Sequence, residues 1–243
     1  SKQYEFKFDF KDMAVVCNPK ELIEEEKSVK LKRVSPYQLK GIRNNYFNDP
    51  KTDGRLLSYH QLSADSFILG SDFSLRLSDA KSGNLQIMKG HIGGVRAITE
   101  NEKFVITGGE DNLINFWLKG LDKKEIIPFA SLYIDNPNEW VLWTNSGYFT
   151  SEGSGATNFG WTKFLGDKSY PEFYTGNQFF SILFRPEEVK ESLVSGIAVS
   201  EILKNNGVRV FALDKVQRPA AVLFESPFSI DGSSRGFYLH KEG

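Results

Sequence analysis

The sequence predicts a mostly β protein, and three observations lead to that prediction. Short apolar segments separated by turn residues fill the stretch 62–133. Aromatic residues make up 14% of the chain and occur with 21 glycines, a combination that favours strands and turns over helices. The pattern around one turn also recurs 39 residues later. A period of that size is typical of folds that repeat one group of strands.

The predicted strands of this stretch end at groups of turn residues such as Gly70-Ser71-Asp72. Strands this short, with regular turns between them, favour an antiparallel arrangement. They are predicted at Ser66–Leu69, Leu75–Leu77, Leu85–Met88, Val95–Ile98, Lys103–Thr107 and Asn112–Trp117.

The internal repeat aligns the segment that begins at Gly70 with the segment that begins at Gly109, so that Asp72 falls on Asp111. A weaker third copy, displaced by 43 residues, places Trp161 in the region that corresponds to Trp117. Both periods lie close to the roughly 40–45 residues of a four-stranded propeller blade.

The C-terminal part predicts two helices and then strands. Pro186 at the first helical position, acidic residues in the first turn and Gly196 after the last turn predict a helix over Pro186–Ser195. A second helix is predicted at Val199–Asn205. Strands are predicted at Val208–Leu213 and Ala221–Phe224, and a turn with one strand is predicted within Ser229–Gly243.

The N-terminal residues do not align with the repeat. Apolar and charged residues alternate over Tyr4–Phe10, which predicts a strand. The charge-rich stretch Glu21–Lys32 fits either a helix or a charged edge strand, and Asn44–Asp53 predicts a surface loop.

At Gly90-His91, Thr107, Asp111 and Trp117 the sequence resembles the WD-repeat family. The resemblance implies a partial or small WD-repeat-like β-propeller with a short helical segment and a β tail. It also implies a hydrogen-bonded chain from the indole of Trp117 through Thr107 and His91 to Asp111. The preceding copy has Ile68 and Ser78 at the corresponding positions, and it therefore lacks this network.

A second resemblance covers roughly residues 130–190 and depends on Trp140 to Thr144, Gly147-Tyr148-Phe149, Gly160-Trp161 and Phe184-Arg185-Pro186. These motifs are similar to the segment that closes WD-repeat regions in bacterial caspase-like multidomain proteins. In those proteins a peptidase domain can lie elsewhere in the chain. Cys17 has neither the local signature of a caspase nucleophile nor a histidine upstream of it.

With the repeat as reference, the sequence predicts four regions. Residues 1–56 hold strands of unclear assignment, for which a degenerate blade is one interpretation, and residues 57–170 hold the WD-repeat-like blades. Residues 171–207 form a helical segment, and residues 208–243 form the C-terminal strands.

Composition argues against several classes of function. The net charge of −1 shows no basic excess for binding nucleic acid, and no apolar run approaches the roughly 18 residues that span a bilayer. A single cysteine and three dispersed histidines predict no metal site and no cofactor. The cysteine usage favours a reducing compartment, so we expect a cytoplasmic location.

Four features also suit chemistry or binding, but in each case a structural role is the preferred interpretation. His91, Thr107 and Asp111 have the residue types of a triad with a hydroxyl nucleophile. The stretch 153–160 is glycine-rich but lacks the motif of a phosphate-binding loop. Glu24 to Glu26 with the lysines that follow favour a solvated face over a docking patch. Core packing is preferred over an exposed binding role for at least one of Trp140 and Trp143.

The expected function is a non-catalytic protein-interaction or regulatory scaffold within a larger multidomain protein. An alternative is a sensor or exosite module of a caspase-like cysteine protease whose catalytic domain lies outside this chain. We expect the chain to bind another protein or further domains of the same polypeptide. The predicted contacts are the turn residues Ser71 and Glu110 and the strand-start residue Arg96.

The part of the chain before the helices has room for about four blades, at the lower limit of closed propellers. The first residue is Ser1. We therefore expect the ring to be completed by missing sequence, by a partner chain or by self-association.

Overall fold

The chain is mostly β and contains several antiparallel sheets, as predicted. The computed structural model describes residues 4–9, 13–19, 32–40, 45–47, 49–63, 66–79, 85–120, 126–163, 172–211, 223–225 and 238–240. These residues belong to two compact units, Ser1–Phe211 and Ala212–Gly243.

The first unit contains seventeen of the described strands. They are β1 (Tyr4–Asp9), β2 (Ala14–Pro19), β3 (Lys32–Ser35), β4 (Gln38–Lys40), β5 (Asn45–Phe47), β6 (Leu56–Gln61), β7 (Ser66–Ser71), β8 (Leu75–Asp79), β9 (Leu85–Ile87), β10 (Val95–Glu100), β11 (Phe104–Gly109), β12 (Leu113–Leu118), β13 (Ala130–Asn136), β14 (Glu139–Thr144), β15 (Phe149–Glu152), β16 (Gly160–Lys163) and β17 (Glu172–Thr175). The six strands predicted between residues 62 and 133 are confirmed.

Four of these strands, β6 to β9, form an antiparallel sheet in chain order. The next three, β10 to β12, repeat the first three strands of that pattern, but β12 then pairs with β13, and the sheet continues through β14 to β15. The third copy of the repeat is therefore not a separate four-stranded sheet. β16, which carries Trp161, pairs with β17 instead of β15.

The two larger sheets meet through β6, β7 and β10. The hydroxyl of Ser58 on β6 donates a 2.7 Å hydrogen bond to the carbonyl oxygen of Val95 on β10. Behind this contact lies one apolar cluster drawn from both sheets, and burying such a cluster is the main driving force for their association. Its fully buried members are Ile68, Leu75, Met88, Val95, Val105 and Trp117.

The N-terminal strands form two smaller sheets. β1 pairs with β2, which confirms the strand predicted from Tyr4, while β3, β4 and β5 form a three-stranded sheet. Leu39 of β4 is buried with Leu56, Phe67 and Leu69 of the neighbouring sheet. The loop predicted over residues 44–53 is wrong in part, because β5 lies within it. The stretch Glu21–Lys32 falls outside the described residues except for Lys32, which begins β3.

Three α-helices follow, α1 (Phe180–Leu183), α2 (Pro186–Ser195) and α3 (Val199–Asn205), so both predicted helices are confirmed. Gly196 ends α2 with a φ of 78°, a left-handed conformation that glycine adopts without a Cβ penalty. Single-turn 3₁₀ helices lie at Gly155–Thr157 and Gly176–Phe179.

An aromatic cluster joins the last strands of the six-stranded sheet to the helices. Phe149 is buried at its centre, with ring centroids at 4.9 Å from Phe159 and 5.6 Å from Phe184. Trp161 and Phe180 also pack against Phe149. Several aromatic residues of the motifs between 130 and 190 therefore have a packing role.

In the second unit the described residues form one hairpin, β18 (Leu223–Glu225) with β19 (Tyr238–His240). The strand predicted at Val208–Leu213 is wrong for residues 208–211, which have no regular structure; residues 212 and 213 are not described. The predicted boundary between residues 170 and 171 runs through the β16–β17 hairpin, and the boundary between 56 and 57 cuts β6. No described helix has the length and apolar character needed to cross a bilayer.

Candidate functional site

The structure brings His91, Thr107, Asp111 and Trp117 together in one hydrogen-bonded chain. The indole Nε1–H of Trp117 donates to Thr107 Oγ1 at 2.8 Å. Thr107 Oγ1 lies 2.7 Å from His91 Nε2, and His91 Nδ1 lies 3.0 Å from Asp111 Oδ1. β11 supplies the threonine, β12 the tryptophan, the loop before β10 the histidine and the β11–β12 turn the aspartate.

The neutral imidazole satisfies every polar atom of this chain. The Asp111 carboxylate only accepts, so His91 Nδ1–H is the donor to it. Since Thr107 accepts from the indole, its own hydroxyl hydrogen is free to donate to His91 Nε2. The side chains of His91 and Asp111 are each only 2% exposed, and at that burial an unpaired polar group would cost about 1–3 kcal/mol. Thr107 is buried too, which keeps a substrate away from its hydroxyl.

Asp111 also fixes the backbone of the loop that precedes β10. Its carboxylate accepts the N–H of Ile92 at 3.0 Å and the N–H of Leu113 at 3.2 Å. The N–H of Glu110 donates to the carbonyl oxygen of Gly94 at 2.9 Å. The β11–β12 turn and the loop before β10 are therefore joined by several hydrogen bonds, and both belong to one repeat.

Asp72, the counterpart of Asp111 in the first repeat, holds the corresponding loop differently. It accepts the backbone N–H of Arg55 at 2.7 Å, and the Arg55 guanidinium donates to both of its carboxylate oxygens at 3.0 Å. In the first repeat the turn aspartate is therefore paired with a largely exposed guanidinium, whereas in the second repeat it is paired with a buried imidazole. Hydrogen bonds from the Arg55 side chain and backbone hold the pKa of the Asp72 carboxyl below its ordinary value.

A second ion pair stabilises the first repeat where the histidine network is missing. Arg76 of β8 donates to Asp53 at 3.0 Å, and both side chains are largely buried. Ile68 and Ser78, at the positions of Thr107 and Trp117, are themselves buried.

The three predicted contact residues have different environments. Arg96 and Glu110 lie side by side in an exposed ion pair, with Arg96 Nε donating to Glu110 Oε1 at 2.8 Å. Ser71 is 0% exposed, and its hydroxyl is hydrogen-bonded to the carbonyl oxygen and hydroxyl of Ser74. The β7–β8 turn therefore uses the Ser71 side chain internally, whereas Arg96 and Glu110 are the exposed members of the predicted contact set.

Sequence reasoning missed two exposed apolar side chains at the same end of the strands. Phe73 follows Asp72 in the β7–β8 turn and is 68% exposed, and Ile92 follows His91 and is 96% exposed. Their position in the sequence could have predicted this exposure, because each one is adjacent to a residue that the repeat places at a turn or loop. We call Phe73, Ile92, Arg96 and Glu110 the turn surface.

The other candidate features have structural surroundings. Trp140 is buried, and Trp143 stacks on Phe159 with a centroid distance of 5.5 Å. The glycine-rich stretch forms a turn and a short 3₁₀ helix between β15 and β16. Cys17 lies in β2, and the predicted Glu24–Glu26 face is outside the residues described. Among the described residues, no three His, Cys, Asp or Glu side chains cluster as metal ligands would.

No model of a known protein family matches the sequence, and no curated protein matches it. Among solved structures, the chain is similar to the computationally designed Ika4 protein, with 14% identity and a TM-score of 0.26. That alignment covers 47% of this chain and 87% of the designed one. A TM-score this low does not indicate a shared fold or a shared function.

Proposed function

We propose that this chain is a non-catalytic protein-interaction or regulatory scaffold, built on neighbouring blades of a WD-repeat-like propeller and working as one region of a larger multidomain protein. The internal repeat supports the blade assignment. β6 to β9 form a four-stranded meander, and β10 to β12 repeat its first three strands. In both copies the turn aspartate accepts a backbone N–H from the loop before the first strand.

One observation carries the interaction role: Ile92 is almost fully exposed, yet its backbone N–H is bonded to the buried carboxylate of Asp111. An apolar side chain held out on a fixed backbone loses little conformational entropy on binding, so it suits an anchor position. The Arg96–Glu110 pair lies beside the loop that carries Ile92 and adds polar groups for specificity.

Affinity capture with the whole tagged chain tests this proposal. We expect the double variant Phe73→Ser, Ile92→Ser to bind a specific partner with an affinity at least about tenfold lower. The reason is that truncating each anchor side chain costs more than about 1 kcal/mol of binding free energy. The matched control is Val194→Ser, Ile197→Ser, which removes one exposed apolar side chain from α2 and another from the loop between α2 and α3. If both double variants retain the same partner as the unaltered chain, the turn surface is not the interaction site.

A further inference from the structure

A cavity of about 300 Å³ opens between the two larger sheets, at the end of the strands opposite the turn surface. The turn surface lies at the start of β10, whereas the cavity is bordered by its last residue, Glu100, and by residues just after β12. The volume is at the small end of the roughly 300–1,000 Å³ that is usual for ligand pockets.

The walls of the cavity continue the apolar core between the sheets. They are formed mainly by Ile68, Leu77, Met88, Val105, Trp117 and Ile126. The only polar atom of the Trp117 side chain is already bonded to Thr107, so the ring presents apolar surface to the cavity. A hydrocarbon group inserted here would remove apolar surface from water on both sides, and this burial would favour binding.

The mouth of the cavity carries charge. Glu100 lines it, with Oε1 3.3 Å from His60 Nε2 and Oε2 paired with the Lys119 ammonium. Burial raises the pKa of the Glu100 carboxyl, but the hydrogen bonds and charges of Lys119 and His60 outweigh it, and the pKa lies below its ordinary value. Glu100 is therefore an ionised group that is paired with the Lys119 ammonium.

This arrangement distinguishes between anionic and cationic head groups. An ammonium group has three N–H donors, so Lys119 can bind Glu100 and an incoming carboxylate together. Among the described residues that line the cavity, Glu100 is the carboxylate available to an incoming cation, and that cation would have to compete with Lys119 for it. Lys119 is also about one-third exposed, which leaves its ammonium accessible from solvent.

We propose that the cavity binds a small anionic amphiphile, with its hydrocarbon tail between the sheets and its carboxylate on Lys119. The proposal is independent of the scaffold role, because the turn surface contributes no residue to the cavity.

Calorimetric titration of the full chain with octanoate, octylamine and octanol tests the proposal. We expect octanoate to bind most tightly, and Lys119→Gln to weaken it at least about tenfold while leaving octanol binding within about twofold. Lys51→Gln, on an exposed turn outside the cavity, is the matched control and should change nothing. The proposal would be overturned if octanoate did not bind or if octylamine bound more tightly than octanoate. It would also be overturned if Lys119→Gln bound octanoate with the same affinity as the unaltered chain.

A second variant tests the position of the tail. Leu77→Phe places a phenyl ring in the cavity and should lower the affinity for octanoate at least about fivefold. Leu85→Phe, at an exposed position of β9, should leave that affinity unchanged. Thermal unfolding first establishes that each variant is folded, and Ser66→Phe at the mouth replaces Leu77→Phe if the latter is unfolded. Unchanged affinity in a folded cavity-filling variant would contradict tail insertion.

Discussion

The indole N–H of Trp117 donates to the hydroxyl of Thr107 at 2.8 Å in the interior between the two larger sheets. The bond ties β12 to β11 at the only polar atom of the tryptophan side chain. It is also one end of the chain that continues through His91 to Asp111. The side chains of Trp117, Thr107 and His91 therefore depend on one another and on Asp111 for their hydrogen-bond partners.

We predict that this dependence is measurable as non-additivity. Trp117→Phe leaves Thr107 without its donor, and Asp111→Ala leaves His91 Nδ1 unpaired, so each should lower the free energy of unfolding by about 1–3 kcal/mol. Because both residues belong to one network, the double variant should lose less than the sum of the two. Chemical denaturation measures all three, and additive or negligible losses would refute the network.

Gly109 tests how closely the network is packed. A Cβ there would lie 2.5 Å from both His91 Nδ1 and Asp111 Oδ1. We expect Gly109→Ala to cost about 1–3 kcal/mol of stability by forcing these groups apart. The adjacent Gly108 is a matched control, because its nearest neighbour would be 3.8 Å away and Gly108→Ala should stay within about 0.5 kcal/mol. Equal effects of the two substitutions in thermal unfolding would argue against a tight fit.

The Arg55–Asp72 pair predicts a pH dependence of stability. Because the pKa of Asp72 is lowered in the folded state, its contribution is present above its unfolded pKa of about 3.9 and is lost as the pH falls through the lower folded value. The stability difference between the unaltered chain and Asp72→Asn should therefore shrink below about pH 4.

Removing the cause of the shift provides the control. In an Arg55→Gln background the same Asp72→Asn comparison should lose most of its pH dependence, since the guanidinium is the main source of the lowered pKa. The pair is on the surface, so added salt should also reduce the difference. A difference that is constant from pH 6 to pH 3 would contradict the assignment.

β9 predicts self-association of the chain. It lies last in its sheet, and Leu85 and Ile87 on it are exposed. An edge strand with apolar side chains favours pairing with another chain. Light scattering at micromolar concentration should give a mass above the 27.5 kDa of one chain, and Ile87→Lys should lower it. A stable monomer at this concentration would contradict self-association through β9. Val194→Lys is the control, because it adds the same charge at an exposed position outside β9.

The scaffold proposal predicts that the chain has no hydrolase, transferase or redox activity of its own. Alkylation of Cys17 should leave partner binding unchanged, because Cys17 lies in β2 and the turn surface is formed by other parts of the chain. Enzyme assays and partner-binding assays, each with and without an alkylating reagent, test these two expectations. Loss of a reproducible activity on alkylation would favour a catalytic thiol.

The sequence by itself determined the elements whose signals are local. Pro186, the acidic first turn and Gly196 define α2 through bonds and charges within a few residues. Strand alternation and turn residues located β7 to β12 in the same way. The resemblance carried by Gly90-His91, Thr107, Asp111 and Trp117 also implied the four side chains that the structure brings together.

Only the tertiary structure decided how these elements combine. A 39-residue period does not show that β12 goes on to pair with β13, because the partner of an edge strand is chosen by residues distant in sequence. Ser71 and Glu110 are both turn residues, yet the first is buried against Ser74 and the second is exposed beside Arg96. Burial depends on which surfaces of two sheets meet, and the cavity behind Trp117 is lined by residues of both sheets. The packing of two sheets joins residues far apart in the chain, and a local sequence pattern does not specify which of them meet.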